Sequence, residues 1–153
     1  MTASLFSPFH SAHLDLPHRV VMAPLTRNRA PGQVPNEAMV EYYRQRANPA
    51  SGAALIVSEG TPISPMAHGY LDTPGIYTPE QVAGWRKVTD AVHAEGGKIV
   101  TQIWHVGRIS HTSLLPGGAQ PVSATAQPAR SKTYIAGGFA DVSAPRALRT
   151  EEI

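Results

Sequence analysis

Three apolar runs alternate with two helical patterns over the first two thirds of the chain. Residues 19–25, 53–57 and 98–105 are predicted strands, and their continuous apolar character is typical of strands that are buried on both faces. Residues 37–47 and 79–95 carry apolar side chains at helical spacing, and short links join each helix to the next strand. Repeated strand–helix–strand units build a parallel sheet with right-handed crossovers, so this alternation predicts an α/β fold.

Local signals mark the ends of both predicted helices. Asn36 is a favourable N-cap for the first helix, and Asn48-Pro49 ends it, because the residue before a proline disfavours helical geometry. Residues 78–81 supply a threonine cap, a first-turn proline and the glutamine of a capping box. Gly96-Gly97 then provides a C-terminal cap directly before the third predicted strand.

The segments outside this alternation are less regular. Residues 5–16 predict a short hairpin or cap ahead of the first strand. Residues 107–146 are rich in proline, serine, alanine and glycine, with a predicted hairpin at 134–139 around its two central glycines. Residues 150–153 predict the first turn of a third helix. No internal repeat or domain boundary interrupts the pattern, so residues 1–153 are expected to form part of a single domain.

Composition argues against several classes of function. The apolar fraction of 42% is sufficient for a core, which argues against disorder. The net charge of +2 comes from scattered cations without a basic run, so no nucleic acid is expected as a partner. The absence of cysteine excludes disulfides and iron–sulfur centres. Because we find neither an 18-residue apolar run nor a signal peptide, we expect no membrane contact and a cytoplasmic location.

Seven histidines raise the question of a metal site, which the pattern disfavours. His10 and His13 lie three residues apart but not on a predicted helix, and no HExxH motif or carboxylate partner accompanies them. No metal is therefore predicted. Four arginines near the first strand and first helix are expected to form solvated faces or ion pairs, namely Arg27, Arg29, Arg44 and Arg46.

Polar residues collect at the carboxyl ends of the predicted strands. Thr26 follows the first strand, Glu59-Gly60 follows the second, and Gln102 and Trp104 lie near the end of the third. Parallel sheets keep their ligand sites at this end. Threonine and glutamine offer neutral donors and acceptors, and tryptophan offers an apolar wall. The spacing predicts a site for a polar, neutral ligand, although Trp104 alone is better explained as a core aromatic residue.

Five segments carry a more specific pattern. In chain order they are Ala23-Pro-Leu-Thr-Arg-Asn-Arg29, Glu41-Tyr-Tyr-Arg-Gln-Arg-Ala47, Ile56-Val-Ser-Glu-Gly-Thr61, Thr73-Pro-Gly-Ile-Tyr77 and Gln102-Ile-Trp-His-Val-Gly-Arg108. Their sequence and spacing resemble the Old Yellow Enzyme family of flavin-dependent ene-reductases, and the match covers essentially the whole chain. The resemblance implies the first three strands and two helices of a TIM (β/α)8 barrel, preceded by an N-terminal cap. A complete barrel takes about 250 residues, whereas the chain has 153.

The resemblance also implies roles for individual residues around FMN, which the family holds without a covalent bond. The backbone at Pro24 and Leu25 would line the flavin ring. The Thr26 hydroxyl would lie near the flavin C4 carbonyl and tune the reduction potential. Gly60 would donate its backbone N–H to the ring, at a position where many relatives carry alanine, and Gln102 would bond to the pyrimidine edge.

The substrate side and the reaction follow from the same resemblance. Trp104 would shape the substrate pocket and Tyr70 would lie over it, although Tyr70 alone is explained as a loop residue packed on the surface. NAD(P)H would supply a hydride through FMN to the β-carbon of an activated alkene. The protein would contribute orientation and electronic tuning.

Several parts of the family's site have no counterpart before Ile153. These are the residues that bind the substrate carbonyl, the tyrosine that donates a proton, the basic residue near flavin N1 and the loops that hold the phosphate. The isolated chain is therefore expected to have weak activity or none. One hypothesis is that a second chain supplies a complementary C-terminal half-barrel. The alternative is a non-catalytic fragment or assembly module that self-associates through open sheet edges.

Overall fold

A computed structural model describes residues 4–152 as an open α/β arrangement of short strands and two helices. The strands are β1 (Phe9–His10), β2 (Asp15–Leu16), β3 (Val21–Met22), β4 (Leu55–Val57), β5 (Thr61–Pro62), β6 (Ile99–Val100), β7 (Ile103–Trp104), β8 (Val122–Ser123), β9 (Lys132–Ile135), β10 (Gly138–Asp141) and β11 (Arg146–Ala147). The helices are α1 (Glu37–Arg44) and α2 (Pro79–Ala94). Short 3-10 turns lie at Pro31–Gln33, Pro65–Ala67, Thr112–Leu114, Pro116–Gly118 and Thr150–Glu152.

Strands β3, β4 and β6 form the central parallel sheet, in that order. Met22 pairs with Ile56, and Ile56 pairs with Ile99, so these three side chains lie on one face of the sheet. Helix α1 lies between β3 and β4 in the chain, and α2 lies between β5 and β6. The predicted α/β alternation is confirmed.

The two faces of the central sheet differ in burial. Ile56 is fully buried on the helix side, and Met22 and Ile99 pack against the same apolar cluster. The buried members of the cluster are Ala30, Met39, Tyr43, Ala47, Ala53, Ile56, Trp85, Val88 and Val92. On the opposite face, Val21 and Val100 are 47% and 49% exposed. The described helices therefore cover one face of the sheet and leave the other open.

Residues 55–62, which contain β4 and β5, pair with residues 99–104, which contain β6 and β7. The register changes between the β4–β6 and β5–β7 pairings. The β4–β6 pairing ends at Val57 and Val100, whereas the β5–β7 pairing begins at Thr61 and Ile103. Three residues between β4 and β5, at 58–60, thus face two residues between β6 and β7, at 101–102. This extra residue is a β-bulge, which bends a strand and re-aims its side chains.

The first strand and first helix are shorter than predicted. The strand covers Val21–Met22 rather than 19–25, because Pro24 has no N–H to offer to the ladder. The helix ends at Arg44 rather than at residue 47, because the following residues form tighter bonds to the third residue back, such as Ala47 N to Arg44 O at 3.1 Å.

The bulge explains why the other two predicted strands differ from the observed ones. The third, at 98–105, is divided into β6 and β7, and the second is followed by the additional segment β5. Helix α2 ends one residue before its predicted end, and the capping box between Thr78 and Gln81 is confirmed.

The peripheral segments form small sheets of their own. Strands β1 and β2 make the predicted N-terminal hairpin, and β9 and β10 make the predicted second hairpin. The parallel pairing of β8 with β11 was not predicted. Residues Thr150–Glu152 form a 3-10 turn, and Ile153 lies outside the described residues.

Candidate functional site

The bulge positions Glu59 and Gly60, which are both buried at the carboxyl end of the central sheet. Ser58 Oγ accepts a hydrogen bond from the Gln102 N–H at 3.1 Å, so a side chain satisfies this amide. Thr61 N donates to Gln102 O at 2.9 Å, which restores strand pairing on the far side. The bulge is thus fixed by polar bonds, beside the residues that were predicted to bind a ligand.

A cleft of about 470 Å³ opens at this end of the sheet. Three predicted site residues line it, namely Thr26, Tyr70 and Trp104. The rings of Tyr70 and Trp104 lie 6.0 Å apart between centroids, at an interplanar angle of 35°. Tyr134 and Phe139, from β9 and β10, line the same cleft. The walls therefore combine aromatic surface with the Thr26 hydroxyl and with the two arginines and one asparagine at 27–29.

Hydrogen bonds connect the three segments that form the cleft walls. Asn28 has a φ of 54°, in the left-handed region that asparagine tolerates, and its side-chain amide donates to Leu71 O. Leu71 N donates in turn to Tyr134 O at 2.9 Å. The Thr133 hydroxyl donates to Gly69 O. The strand end, the Tyr70 loop and the β9–β10 hairpin are therefore held as one unit.

A buried ion pair lies behind the cleft. Arg27 contacts Glu59, whose side chain is fully buried, while the Arg27 side chain is 12% exposed. Tyr43 OH donates to Glu59 Oε1 at 3.2 Å and accepts from Glu59 N at 2.8 Å. The Arg27 guanidinium also stacks over the Tyr42 ring at 3.6 Å from the centroid. Burial, together with the Glu59 charge, raises the pKa of Tyr43, so its hydroxyl remains a donor.

A second buried network supports the loop that carries Tyr70. His68 Nε2 lies 2.9 Å from Tyr77 OH, and His68 Nδ1 lies 3.1 Å from Thr73 Oγ1. Tyr77 OH donates to Gln33 Oε1 at 2.8 Å, and Ser110 Oγ donates to His68 O at 2.6 Å. Burial lowers the pKa of His68 to about 4, so the imidazole is neutral near pH 7.

The other predicted site residues lie around the cleft rather than in its lining. Gly60 lies behind Trp104, with the indole against its Cα. Gln102 lies between β6 and β7 and is partly exposed. Pro24 and Leu25 are exposed beyond the end of β3, with Leu25 60% exposed. Their assigned contacts with a flavin remain predictions.

The neutral donors and acceptors of Thr26 and Gln102 are chemically suited to the carbonyl and N–H edge of a planar heterocycle such as FMN. Thr26 follows β3, whereas Gln102 follows β6, and β4 lies between these two strands. Thr26 lines the cleft, whereas Gln102 does not belong to its lining, so a joint contact of both side chains with one ligand is a prediction.

Sequence reasoning missed several residues that build the site. Of the two alternatives expected for Arg27, a solvated face or an ion pair, the structure shows the ion pair, but its burial against Glu59 was missed. Asn28 received no role. Tyr134 and Phe139 were assigned only to a hairpin. The signal available in the sequence was the pair of aromatic residues flanking a glycine turn; in the structure they are 38% and 73% exposed and line the cleft.

Two further properties concern the described part of the chain. Across residues 4–152, the structure contains no group of three or more histidine, cysteine, aspartate or glutamate side chains placed to hold a metal ion. None of the helices described in that range combines the length and apolar character needed to cross a membrane.

Comparison with known proteins gives a consistent family assignment. Residues 4–153 match the model of the NADH:flavin oxidoreductase / NADH oxidase family. The chain is 46% identical to 12-oxophytodienoate reductase 7 of Oryza sativa subsp. japonica, a match that covers 99% of the chain and 38% of that protein. It is also 46% identical to the flavin oxidoreductase hxnT of Emericella nidulans, over 97% of the chain and 38% of that protein.

Solved structures agree with the sequence matches. Morphinone reductase in complex with tetrahydroNAD is 48% identical and superimposes with a TM-score of 0.90, over 99% of this chain and 42% of that one. The Old Yellow Enzyme homologue from Zymomonas mobilis is 41% identical, with a TM-score of 0.90 over 98% and 41% of the respective chains. The chain thus spans about two fifths of the length of these relatives.

Proposed function

We propose that the chain forms part of an FMN-dependent ene-reductase. The premise is that it belongs to the NADH:flavin oxidoreductase / NADH oxidase family of Old Yellow Enzyme homologues. The substrate class is an activated alkene, and the hydride donor is NAD(P)H. When bound, FMN supplies the redox chemistry between the two. The confirmed family resemblance supports the cofactor, and the cleft supports the substrate class.

The observation that carries the proposal is the convergence of Thr26, Tyr70 and Trp104 on one cleft. These residues come from three separate segments, and the chemistry expected of them requires them to lie together. Aromatic walls suit a conjugated ligand. Of the two cations in the lining, Arg27 is paired with Glu59, and Arg29 donates to the backbone oxygens of residues 27 and 28. Thr26 would donate a hydrogen bond at the flavin carbonyl, and the two aromatic rings would confine the alkene.

The rest of the site would come from the remaining strands of a TIM barrel. The open sheet face carries exposed apolar residues at Val21 and Val100, and Ile103 is 64% exposed beyond it. Additional parallel strands would bury this face and close the edges beside β3 and β6. A complementary C-terminal half-barrel polypeptide is therefore the proposed partner.

A second candidate function rests on the same open face. Exposed apolar side chains beside unpaired strand edges favour association of identical chains. The chain would then be a non-catalytic assembly module, and its cleft would hold no flavin.

Complementation distinguishes the two candidates. The chain is co-expressed with the part of morphinone reductase that lies beyond the region it matches, and the purified product is examined for flavin absorption and subunit mass. A yellow complex containing both polypeptides supports the enzyme. A colourless product after incubation with FMN contradicts it, and a discrete oligomer of the chain alone, seen by sedimentation, supports the assembly module.

Side-chain variants then test the flavin edge within a yellow complex. Gln102→Ala and Thr26→Ala are expected to weaken FMN retention or shift its absorption spectrum, because each removes a proposed hydrogen bond. Gln127→Ala is the matched control, since Gln127 is exposed in the irregular segment beyond the cleft. Equal FMN retention and spectra in all three variants would contradict the assigned contacts.

A further inference from the structure

We infer that residue 60 determines the position of the Trp104 indole and thereby the size of ligand that the cleft accepts. This inference deepens the proposed function, on which its consequence for substrates rests. The role comes from the missing Cβ of Gly60 and is separate from any hydrogen bond that its backbone N–H donates.

The first observation is a close approach between Gly60 and Trp104. A Cβ atom added to Gly60 would lie 2.6 Å from Cδ2, Cε2 and Cε3 of the Trp104 indole. Carbon atoms in contact normally lie about 3.5–4.0 Å apart. The three atoms belong to the fused part of the ring system, so a small rotation of a flexible chain end cannot relieve the overlap.

The backbone does not explain the glycine. Gly60 is not among the residues with positive φ, so a left-handed backbone is not the reason for glycine here. Trp104 pairs with Pro62 in the β5–β7 ladder, so its indole leans back along the neighbouring strand to cover Gly60. The lack of a side chain at residue 60 is therefore what allows this position of the ring.

The consequence reaches the cleft because Trp104 lines it beside Tyr70. A side chain at residue 60 would push the indole away from the strand and into the cleft, which would reduce the space for a ligand. The Trp104 Nε1 atom is buried without a hydrogen-bond partner among residues 4–152, so no polar contact holds the ring in place against such a push. Packing against Gly60 and Tyr70 sets its position.

The first test uses the chain alone, because the measurement of tryptophan fluorescence requires no flavin. Gly60→Ala is made in a Trp85→Phe background, which leaves Trp104 as the single tryptophan. We expect red-shifted emission and stronger acrylamide quenching, because displacement brings the buried indole nitrogen toward water. Identical emission and quenching in a folded variant would overturn the inference.

A double-variant cycle keeps the test independent of folding yield. The destabilisation caused by Gly60→Ala is measured with Trp104 present and in a Trp104→Leu background, where the indole is gone. We expect the cost of the alanine to fall to near zero in the second background, since contacting residues are non-additive. An equal cost in both backgrounds would overturn the inference, because the strain would then lie elsewhere.

In the yellow complex, the ratio of kcat/KM for a bicyclic enone to that for 2-cyclohexenone is compared between Gly60→Ala and the parent. We expect this ratio to fall by about tenfold or more, the effect of misfitting a few carbon atoms in a pocket. An unchanged ratio alongside displaced Trp104 fluorescence would overturn the link to ligand size. Failure to obtain any yellow complex would count against the proposed function only, since the fluorescence and stability results stand without it.

Discussion

The helix-covered half of the chain and the half that carries the cleft are stabilised by different interactions. In the first, apolar side chains from α1, α2 and the central sheet form one buried cluster. In the second, short strands and irregular backbone are tied together by hydrogen bonds from Asn28, His68 and Thr133. The helix half should therefore respond to changes in side-chain volume, and the cleft half to the loss of single polar groups or to pH.

The largest effect is expected where the two halves meet, at the Arg27–Glu59 ion pair. Arg27→Met leaves the buried Glu59 carboxylate without its cation, which should lower the free energy of unfolding by about 3–5 kcal/mol. Urea denaturation followed by circular dichroism measures the loss. The double variant Arg27→Met/Glu59→Leu should recover much of it, because no charge then remains buried.

The matched control for this pair is Lys87→Met. Lys87 pairs with Glu37 at 2.9 Å, but the two side chains are 65% and 77% exposed. Solvent already screens this pair, so no measurable loss is expected. Similar losses in Arg27→Met and Lys87→Met would show that burial of Arg27 does not control its contribution.

The second prediction compares the two faces of the central sheet. Ile56→Ala removes a fully buried side chain from the apolar cluster and should cost about 2–5 kcal/mol in unfolding free energy. Val100→Ala changes the open face, where the side chain is 49% exposed, and should cost about 0.8 kcal/mol, half the value for two fully buried CH₂ groups. Both values come from the same urea titration.

The Val100 variant also tests the proposed half-barrel partner. In a complex with that partner, the open face is buried, so the cost of Val100→Ala should rise toward that of Ile56→Ala. A cost that stays small in the complex would mean that the partner does not cover this face.

The contrast between the halves also explains what the sequence could predict. Helix α2 was located to within a residue because its cap, first-turn proline and terminal glycines are local signals. The apolar runs identified the central sheet for the same reason. The bulge at residues 58–60 has no local signature, because it is a mismatch between two strands and appears only in their register.

The cleft was predicted in part for a related reason. Thr26 and Trp104 were selected by their positions at the strand ends and Tyr70 through the family resemblance, and the structure brings the three together. The burial of Arg27 depends on a residue 32 positions away in the chain, and no local pattern reports such a partner. Irregular segments joined by long-range polar bonds are predictable only once the fold is known.

The third prediction concerns pH and the cleft half. Burial lowers the pKa of His68 to about 4, whereas an unfolded histidine titrates near pH 6.5. As pH falls through 6.5, His68 is protonated in the unfolded chain but stays neutral in the folded chain. The free energy of unfolding therefore decreases between pH 6.5 and 4 and then levels off. Allowing for solvent screening, the expected loss from this group is about 2 kcal/mol.

The measurement compares the parent with His68→Gln, which removes the titrating group while keeping a donor and an acceptor for the network. Burial also lowers the pKa of His105, so the parent and the variant share that part of the pH dependence. The difference between their unfolding free energies should therefore change between pH 7 and 4. Parallel curves would contradict a buried, neutral His68.

Apart from the two exposed comparison sites, Lys87 and Val100, the smallest effect is expected at Asn28, and its location matters more than its size. Asn28→Gly keeps the left-handed backbone at no steric cost but removes the bond to Leu71 O, which should cost about 1 kcal/mol. Hydrogen exchange measured by mass spectrometry should then accelerate in the Tyr70 loop and the β9–β10 hairpin, because the cleft segments are held as a unit, while α2 remains protected. Thr78→Gly removes a comparable side-chain bond, the one from Gln81 N at the start of α2, and should accelerate exchange only there. If Asn28→Gly accelerated exchange equally in both halves, the chain would respond as one cooperative body, and the division between apolar packing and polar bonding would not describe how it opens.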